Sequence, residues 1–387
     1  MAKVFVCRER SVGETRVAAT PETVKKMVHA GLEVWVEEGA GVASNLPDKQ
    51  YEDAGAKIIT NAAEAWGQAD VVLKVSPLSF NEQLAQPEAE VLKEGSIVVG
   101  FMAPHANLDT VRTLAERRVT TLAMELIPRV TRAQTMDALS SQANVAGYKA
   151  AVLAAARLGK HFPLLMTAAG TIPPARVVIM GGGVAGLQAL ATAKRLGAIV
   201  EVSDIRPAVK EQVESLGGRF IDLPMEESGE GEGGYAKEMG EDFLRQQREI
   251  VKQHVAAADV VIATAQVPGK RAPRLVTADM VEAMRPGSVI IDLAAGQGGN
   301  CEFSKPDEEV NHNGVLILGP TNLAATLAHD ASTVYSRNVL ALLQLLLKDD
   351  GQINIDTNDE IIEGTLLTHA GEIVHEPTAE QLQGVSA

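Results

Sequence analysis

Apolar runs of three or four residues recur along this chain, each followed by a longer stretch in which apolar residues return every three or four positions. Runs of that length suit buried strands and the longer stretches suit amphipathic helices, so the pattern predicts alternating strands and helices and hence parallel sheet. Two series stand out. The first holds strands at Val4-Phe5-Val6, Val34-Trp35-Val36, Lys57-Ile58-Ile59, Val71-Val72-Leu73, Ile97-Val98-Val99 and Thr121-Leu122-Ala123. Helical patterns lie between them, such as Leu108 to Arg117 and Pro21 to Ala30, the latter with proline in its first turn and Gly31 just past its end. The second series begins at Val177 and continues through Ile199 to Val202, Val260-Val261-Ile262, Val289-Ile290-Ile291 and Val315 to Leu318.

Between the series, Ala138 to Leu158 is long, alanine-rich and helical, and is expected to cross from one domain to the other. Asp330 to Lys348 reads as a second crossing helix, and Ile353 to Val374 as irregular strands and turns completing the first domain. The expected fold is α/β: two Rossmann-like, doubly wound parallel-sheet domains joined by long crossing helices, with a cleft between them. The first domain takes residues 1–137 and 330–387, and the second takes 138–329. The polar, glycine-rich stretch EESGEGEGG, Glu226 to Gly234, reads as a flexible loop, either a solvated insertion or a lid.

The second series opens on RVVIMGGGVAGLQALATAKRLGAIVEVSD, residues Arg176 to Asp204. A buried-strand run ends at Met180; Gly181, Gly183 and Gly186 then give the G-x-G-x-x-G spacing, and Val184 to Leu196 continues with helical periodicity. Gly181 allows a tight turn, Gly183 lets a pyrophosphate approach the backbone, and Gly186 lets helix and strand pack closely. The helix N-terminus adds free N–H groups, with Val184 and Ala185 first in line, and a positive dipole end for the phosphates. Asp204 falls at the end of the next strand, where a carboxylate accepts hydrogen bonds from the adenosine ribose. That charge repels a 2′-phosphate and favours NAD(H), with Ile205 beside it. Arg206 pulls the other way, since an arginine there can hold a 2′-phosphate.

Composition narrows the partners. Lys plus Arg is 35 against 50 Asp plus Glu, a net charge of −15, which argues against nucleic acid and against an anionic membrane surface. The two cysteines, Cys7 and Cys301, have no metal-ligand spacing around them, so free thiols in a reducing cytoplasm and no metal site are expected. The start, MAKVFVCRERSVGETR, does not read as a signal peptide, and the apolar stretch Val339 to Leu347 is too short to span a bilayer. Direct membrane insertion is not expected.

Met124 to Tyr148, MELIPRVTRAQTMDALSSQANVAGY, resembles the NAD(H)-binding domain I of the proton-translocating nicotinamide nucleotide transhydrogenases, in the form of a separate soluble alpha-1 subunit. The resemblance runs on through TAAGTIPPARV at Thr167, KEQVESLGG at Lys210, GGYAKEMG at Gly233, QVPGKRAP at Gln266, PGSVIIDLAA at Pro286 and GGNC at Gly298, covering essentially the whole chain. It implies that Arg129, Gln134, Asp137 and Ser140 form the family's catalytic loop. Arg129 and Asp137 would contact the nicotinamide carboxamide, Gln134 would sit where a partner's NADP(H) ring arrives, and Ser140 would support the nicotinamide end. The residues alone allow a plainer reading, with Asp137 as the N-cap of the following helix. The resemblance also implies nucleotide contacts at Ala265 and Gln266, and at Gly234 and Tyr235 in a loop that closes over bound NAD(H). It further implies an NADP(H)-binding beta subunit and a membrane-spanning alpha-2 subunit as partners, a homodimer, and a cytoplasmic place peripheral to the inner (plasma) membrane.

Alanine dehydrogenases are the more distant relatives by this resemblance and supply the rival reading. Arg16 and Lys74 match that family's substrate-carboxylate residues, and otherwise read as a surface arginine and a strand-end lysine. The catalytic aspartate that family carries before Gln-Gly-Gly is Gly296 here, and His105 falls about three residues late for its catalytic histidine. Gly296 also departs from the acidic residue usual in transhydrogenases. Oxidising an amine or alcohol needs a base near the reacting carbon, whereas hydride passage between two nicotinamides needs positioning and exclusion of water. The expected activity is therefore transhydrogenation. An alanine dehydrogenase-like oxidoreductase and a non-catalytic NAD(H)-sensing module are the alternatives.

Overall fold

The structure is a computed structural model that describes residues 1–223, 241–267, 269–348 and 351–385. The chain divides into two compact units, Met1–Gln142 with Ala325–Ala387, and Ala143–Ala324. The junctions thus lie at 142/143 and 324/325 rather than at 137/138 and 329/330. The helix Ala138–Arg157 carries the chain across the first junction. The helix expected to make the return crossing does not do so: it spans Ala328–Leu346 and begins after the second junction, wholly within the first unit.

Among the described residues the first unit holds an eight-stranded sheet. Its order is Glu372–Ile373, Leu366–His369, Thr120–Ala123, Ile97–Gly100, Val71–Leu73, Lys3–Val6, Glu33–Glu37 and Lys57–Ile59. All pairs are parallel except those made by Leu366–His369 with its two neighbours. Successive residues of a strand point to opposite faces. Val4 and Val6 accordingly join one buried cluster while Phe5 and Cys7 join another, and Phe5 meets Trp66 edge-on at 5.7 Å. Both faces are covered, which is why these strands read as unbroken apolar runs.

The second unit repeats the scheme with seven described strands, ordered Arg219–Phe220, Ile199–Ser203, Arg176–Met180, Val260–Ala263, Val289–Asp292, Val315–Leu318 and Glu309–His312, the last pair antiparallel. Val177 and Ile179 face one buried cluster, Val178 and Met180 the other. The order reverses direction between Arg176–Met180 and Val260–Ala263. A crevice opens at such a switch point, outside the carboxyl ends of the strands, and ligands of α/β sheets bind there. The glycine spacing sits at this point.

Candidate functional site

Each glycine of the turn has its own physical reason. Gly181 adopts φ +103°, and a Cβ there would lie 2.8 Å from Thr264 Oγ1. A Cβ on Gly186 would lie 1.9 Å from the Gly181 carbonyl oxygen, so the first turn of the helix Val184–Arg195 can press on the strand end only without a side chain. Gly182, which the spacing does not single out, is equally constrained: its Cβ would meet Val209 Cγ1 at 2.3 Å. Gly183 differs from all of them. It has ordinary φ −75°, and an added Cβ would find nothing within 4 Å. The chain therefore leaves open space at the helix N-terminus beside Val184, which is 41% exposed, and Ala185. That cradle fits the diphosphate of a dinucleotide. A residue outside the motif supports it, since a Cβ on Gly147 would lie 2.1 Å from the Ala185 carbonyl oxygen.

Asp204 follows the strand Ile199–Ser203 and is buried. Its Oδ2 accepts the Gly182 N–H at 2.7 Å, and its Oδ1 accepts the Arg206 backbone N–H at 2.8 Å. The Arg206 guanidinium adds Nε to Oδ1 at 2.9 Å and Nη2 to Oδ2 at 2.8 Å. The arginine that could have held a 2′-phosphate is thus turned onto the aspartate, and Ile205 sits half-buried between them. Across the switch point, Thr264 Oγ1 donates to the Gly181 carbonyl at 2.9 Å. Ala265 is paired through its backbone with Asn300, and Gln266 Nε2 donates to the Leu293 carbonyl at 2.5 Å. Thr264 and Asn300 are residues that motif reading does not find. Gly234 and Tyr235 lie outside the described residues.

In the first unit, Arg129 and Gln134 are exposed along a segment that turns through a 3₁₀ helix, Thr131–Met136. Asp137 caps the helix behind it: Oδ1 accepts the Ser140 N–H at 2.8 Å and Oδ2 accepts Ser140 Oγ at 2.6 Å. Two distant residues anchor the segment. Asn338 donates to the Thr135 carbonyl at 2.8 Å and accepts Ser141 Oγ at 2.7 Å. Asp359 takes the Arg132 guanidinium through two hydrogen bonds, at 2.7 and 2.8 Å, and that contact holds its carboxyl below the usual carboxylate range.

The candidate substrate cations are already paired. Arg16 is buried, donating Nε and Nη2 to the two Glu14 oxygens at 2.8 and 2.6 Å and Nη1 to Gln142 at 2.8 Å. Lys74 is 1% exposed, with Nζ 3.1 Å from Glu88 and 3.4 Å from Glu9. Burial alone would favour the neutral amine, but the neighbouring Cys7, Glu9 and Glu88 prevail and hold its pKa above the ordinary lysine value. Glu9 in turn accepts the Val75 N–H at 2.6 Å, at the C-terminal edge of the strand beside Lys3–Val6. His105 is exposed on the short turn Pro104–Ala106. Gly296 is exposed as well, and a Cβ there would make only ordinary contact, 3.4 Å from Thr321 Cγ2.

Comparison with known proteins agrees with this geometry. Residues 5–146 match the alanine dehydrogenase/PNT N-terminal domain, and residues 150–376 match the alanine dehydrogenase/PNT C-terminal domain. The chain belongs to the alanine dehydrogenase/PNT family. Within that family it falls with the transhydrogenases. It is 48% identical over 377 residues to the first of the chains that make up the NAD(P) transhydrogenase alpha subunit of Rhodospirillum rubrum, covering 96% of this chain and 98% of that one. The crystal structure of transhydrogenase from Sinorhizobium meliloti matches with TM-score 0.86 at 42% identity, covering 96% of this chain and 99% of that one. The alanine dehydrogenase of Methanococcus maripaludis is more distant, 29% identical over 390 residues with 97% and 95% covered. An alanine dehydrogenase/PNT chain of this branch is an NAD(H)-binding subunit, and its glycine turn is built to that purpose. Among the described residues, no helix is long and apolar enough to cross a membrane.

Proposed function

We propose that this chain carries NAD(H) in a proton-translocating transhydrogenase and passes hydride directly between NADH and NADP+ held on a partner beta subunit. One observation carries the reading: the cations that could hold an amino-acid carboxylate, Arg16 and Lys74, are engaged by Glu14, Glu9 and Glu88 of the same chain. A reaction that needs no such pocket and no acid–base pair is ring-to-ring hydride transfer. Bound NADH supplies the hydride. Gly181, Gly183 and Gly186 receive the diphosphate, and Asp204 receives the adenosine ribose. Arg129 and Asp137 hold the nicotinamide carboxamide, Ser140 supports that end, and Gln134 meets the ring of the partner's NADP(H). Gly234 and Tyr235 close over the nucleotide. A membrane-spanning alpha-2 subunit couples transfer to proton movement, and the chain works as a homodimer, cytoplasmic and peripheral to the membrane.

The test is to mix the purified chain with an NADP(H)-binding partner domain and follow hydride transfer by stopped flow. Transfer is expected only with both proteins present. Alanine-dependent NADH formation by the chain alone would replace this reading with an amino-acid dehydrogenase. NADH binding without transfer in any mixture would replace it with a sensing module.

A further inference from the structure

Asn300 is fully buried, and its side-chain amide is completely used. Oδ1 accepts the Ala265 backbone N–H at 3.0 Å, while Nδ2 donates to the Ala265 carbonyl at 2.9 Å and to the Pro273 carbonyl at 2.8 Å. One carboxamide therefore grips both polar groups of a single residue, as a neighbouring strand would. Its own carbonyl accepts the Leu275 and Val276 N–H groups, each at 2.9 Å, so the grip is itself fixed. Only asparagine offers one acceptor and two donors at this reach. Aspartate would turn lone pairs toward two carbonyls, and leucine would leave three buried backbone groups unpaired.

The gripped residue lies against the glycine turn. Thr264, just before it, donates to the Gly181 carbonyl, and the Ala265 nitrogen stands 3.3 Å from where a Gly181 Cβ would be. Gln266, just after it, reaches the Leu293 carbonyl at the end of the next strand. These residues border the switch point on the side away from Asp204. A dinucleotide lies across such a crevice with its adenosine ribose at the acidic residue, so its other half runs past Ala265 and Gln266.

We infer that Asn300 is a positioning residue for the nicotinamide half of the bound dinucleotide, acting through the Ala265 peptide and Gln266. The inference rests on the nucleotide reading above. If the Ala265 peptide is released, Gln266 loses its aim, and the ring half loses its wall while the adenosine half keeps its contacts.

The experiment compares NADH with ADP, which lacks the nicotinamide riboside, by titration calorimetry on the whole chain and on Asn300→Ala and Asn300→Asp. Thermal melts of each protein run alongside. NADH affinity is expected to fall at least ~10-fold while ADP affinity stays within about 2-fold. Equal losses for both ligands, or no loss for NADH, overturn the inference. Failure of the unmodified chain to bind either nucleotide would instead overturn the nucleotide reading, and the inference with it. If neither variant folds, hydrogen exchange on the unmodified chain decides. The Ala265 amide should be protected without nucleotide, and exchange there as fast as at a solvent-facing amide overturns the inference.

Discussion

Gly182 donates its backbone N–H to Asp204 Oδ2 at 2.7 Å, so the carboxylate closing one strand holds the glycine turn that closes the next. The same carboxylate holds Arg206 through both oxygens. Cofactor choice and the shape of the turn therefore depend on one side chain. NADH is expected to bind at least ~10-fold more tightly than NADPH, a difference of about 1.4 kcal/mol. Asp204→Ala should narrow the gap from both sides, weakening NADH and releasing Arg206 toward a 2′-phosphate. Fluorescence titration of both nucleotides checks this, and equal affinities in the unmodified protein would contradict it.

The glycines of the turn should separate by phenotype. Gly183→Val places its side chain in open space, so the melting temperature should stay close to that of the unmodified protein while NADH binding is lost. Gly186→Ala forces a Cβ to 1.9 Å from the Gly181 carbonyl oxygen and should lower the melting temperature as well. Paired melts and titrations distinguish the two, and unchanged affinity in Gly183→Val would remove the diphosphate from this turn.

Much of this was legible in the sequence because its causes are local. A strand covered on both faces, such as Val289–Asp292, reads as an apolar run, and the glycine spacing follows from backbone contacts within one turn. Glu309–His312 and Glu372–Ile373 are edge strands with polar faces, and no run marks them. The loop at Arg129 to Ser140 was legible through resemblance, because Asp137 alone reads equally well as a cap, and it does cap. Asn300 and Glu9 were illegible because topology supplies their partners. Asn300 meets Ala265 from 35 residues away, and Glu9 meets Val75 from 66.

The buried cluster around Lys74 gives a stability prediction. Lys74→Ala leaves Glu9 and Glu88 buried without their cation, and removing one partner of a buried pair costs about 3–5 kcal/mol. Denaturant unfolding should show that loss. NADH affinity, which depends on the second unit, should change little, whereas an unchanged unfolding midpoint would mean the cluster is not a coupled network.

The anchor at Asp359 should respond to acid. Arg132 depresses its carboxyl below the usual range, so its contribution to the folded state is full above the unfolded carboxylate value and fades as pH falls through the lowered one. Hydrogen exchange across residues 131–137 should therefore accelerate in acid, and Asp359→Asn should show the faster exchange already at neutral pH. Identical exchange in variant and unmodified protein would remove Asp359 from the support of this segment.

The central claim is that hydride moves directly from one nicotinamide to the other with no proton-transferring group of this chain in between. NADH carrying deuterium at the transferable C4 position, mixed with this chain and a partner domain holding NADP+, tests it in one measurement. Mass spectrometry of the NADPH formed should find the deuterium retained in full. Loss of the label to solvent, or transfer that requires an added amino acid, would contradict the account.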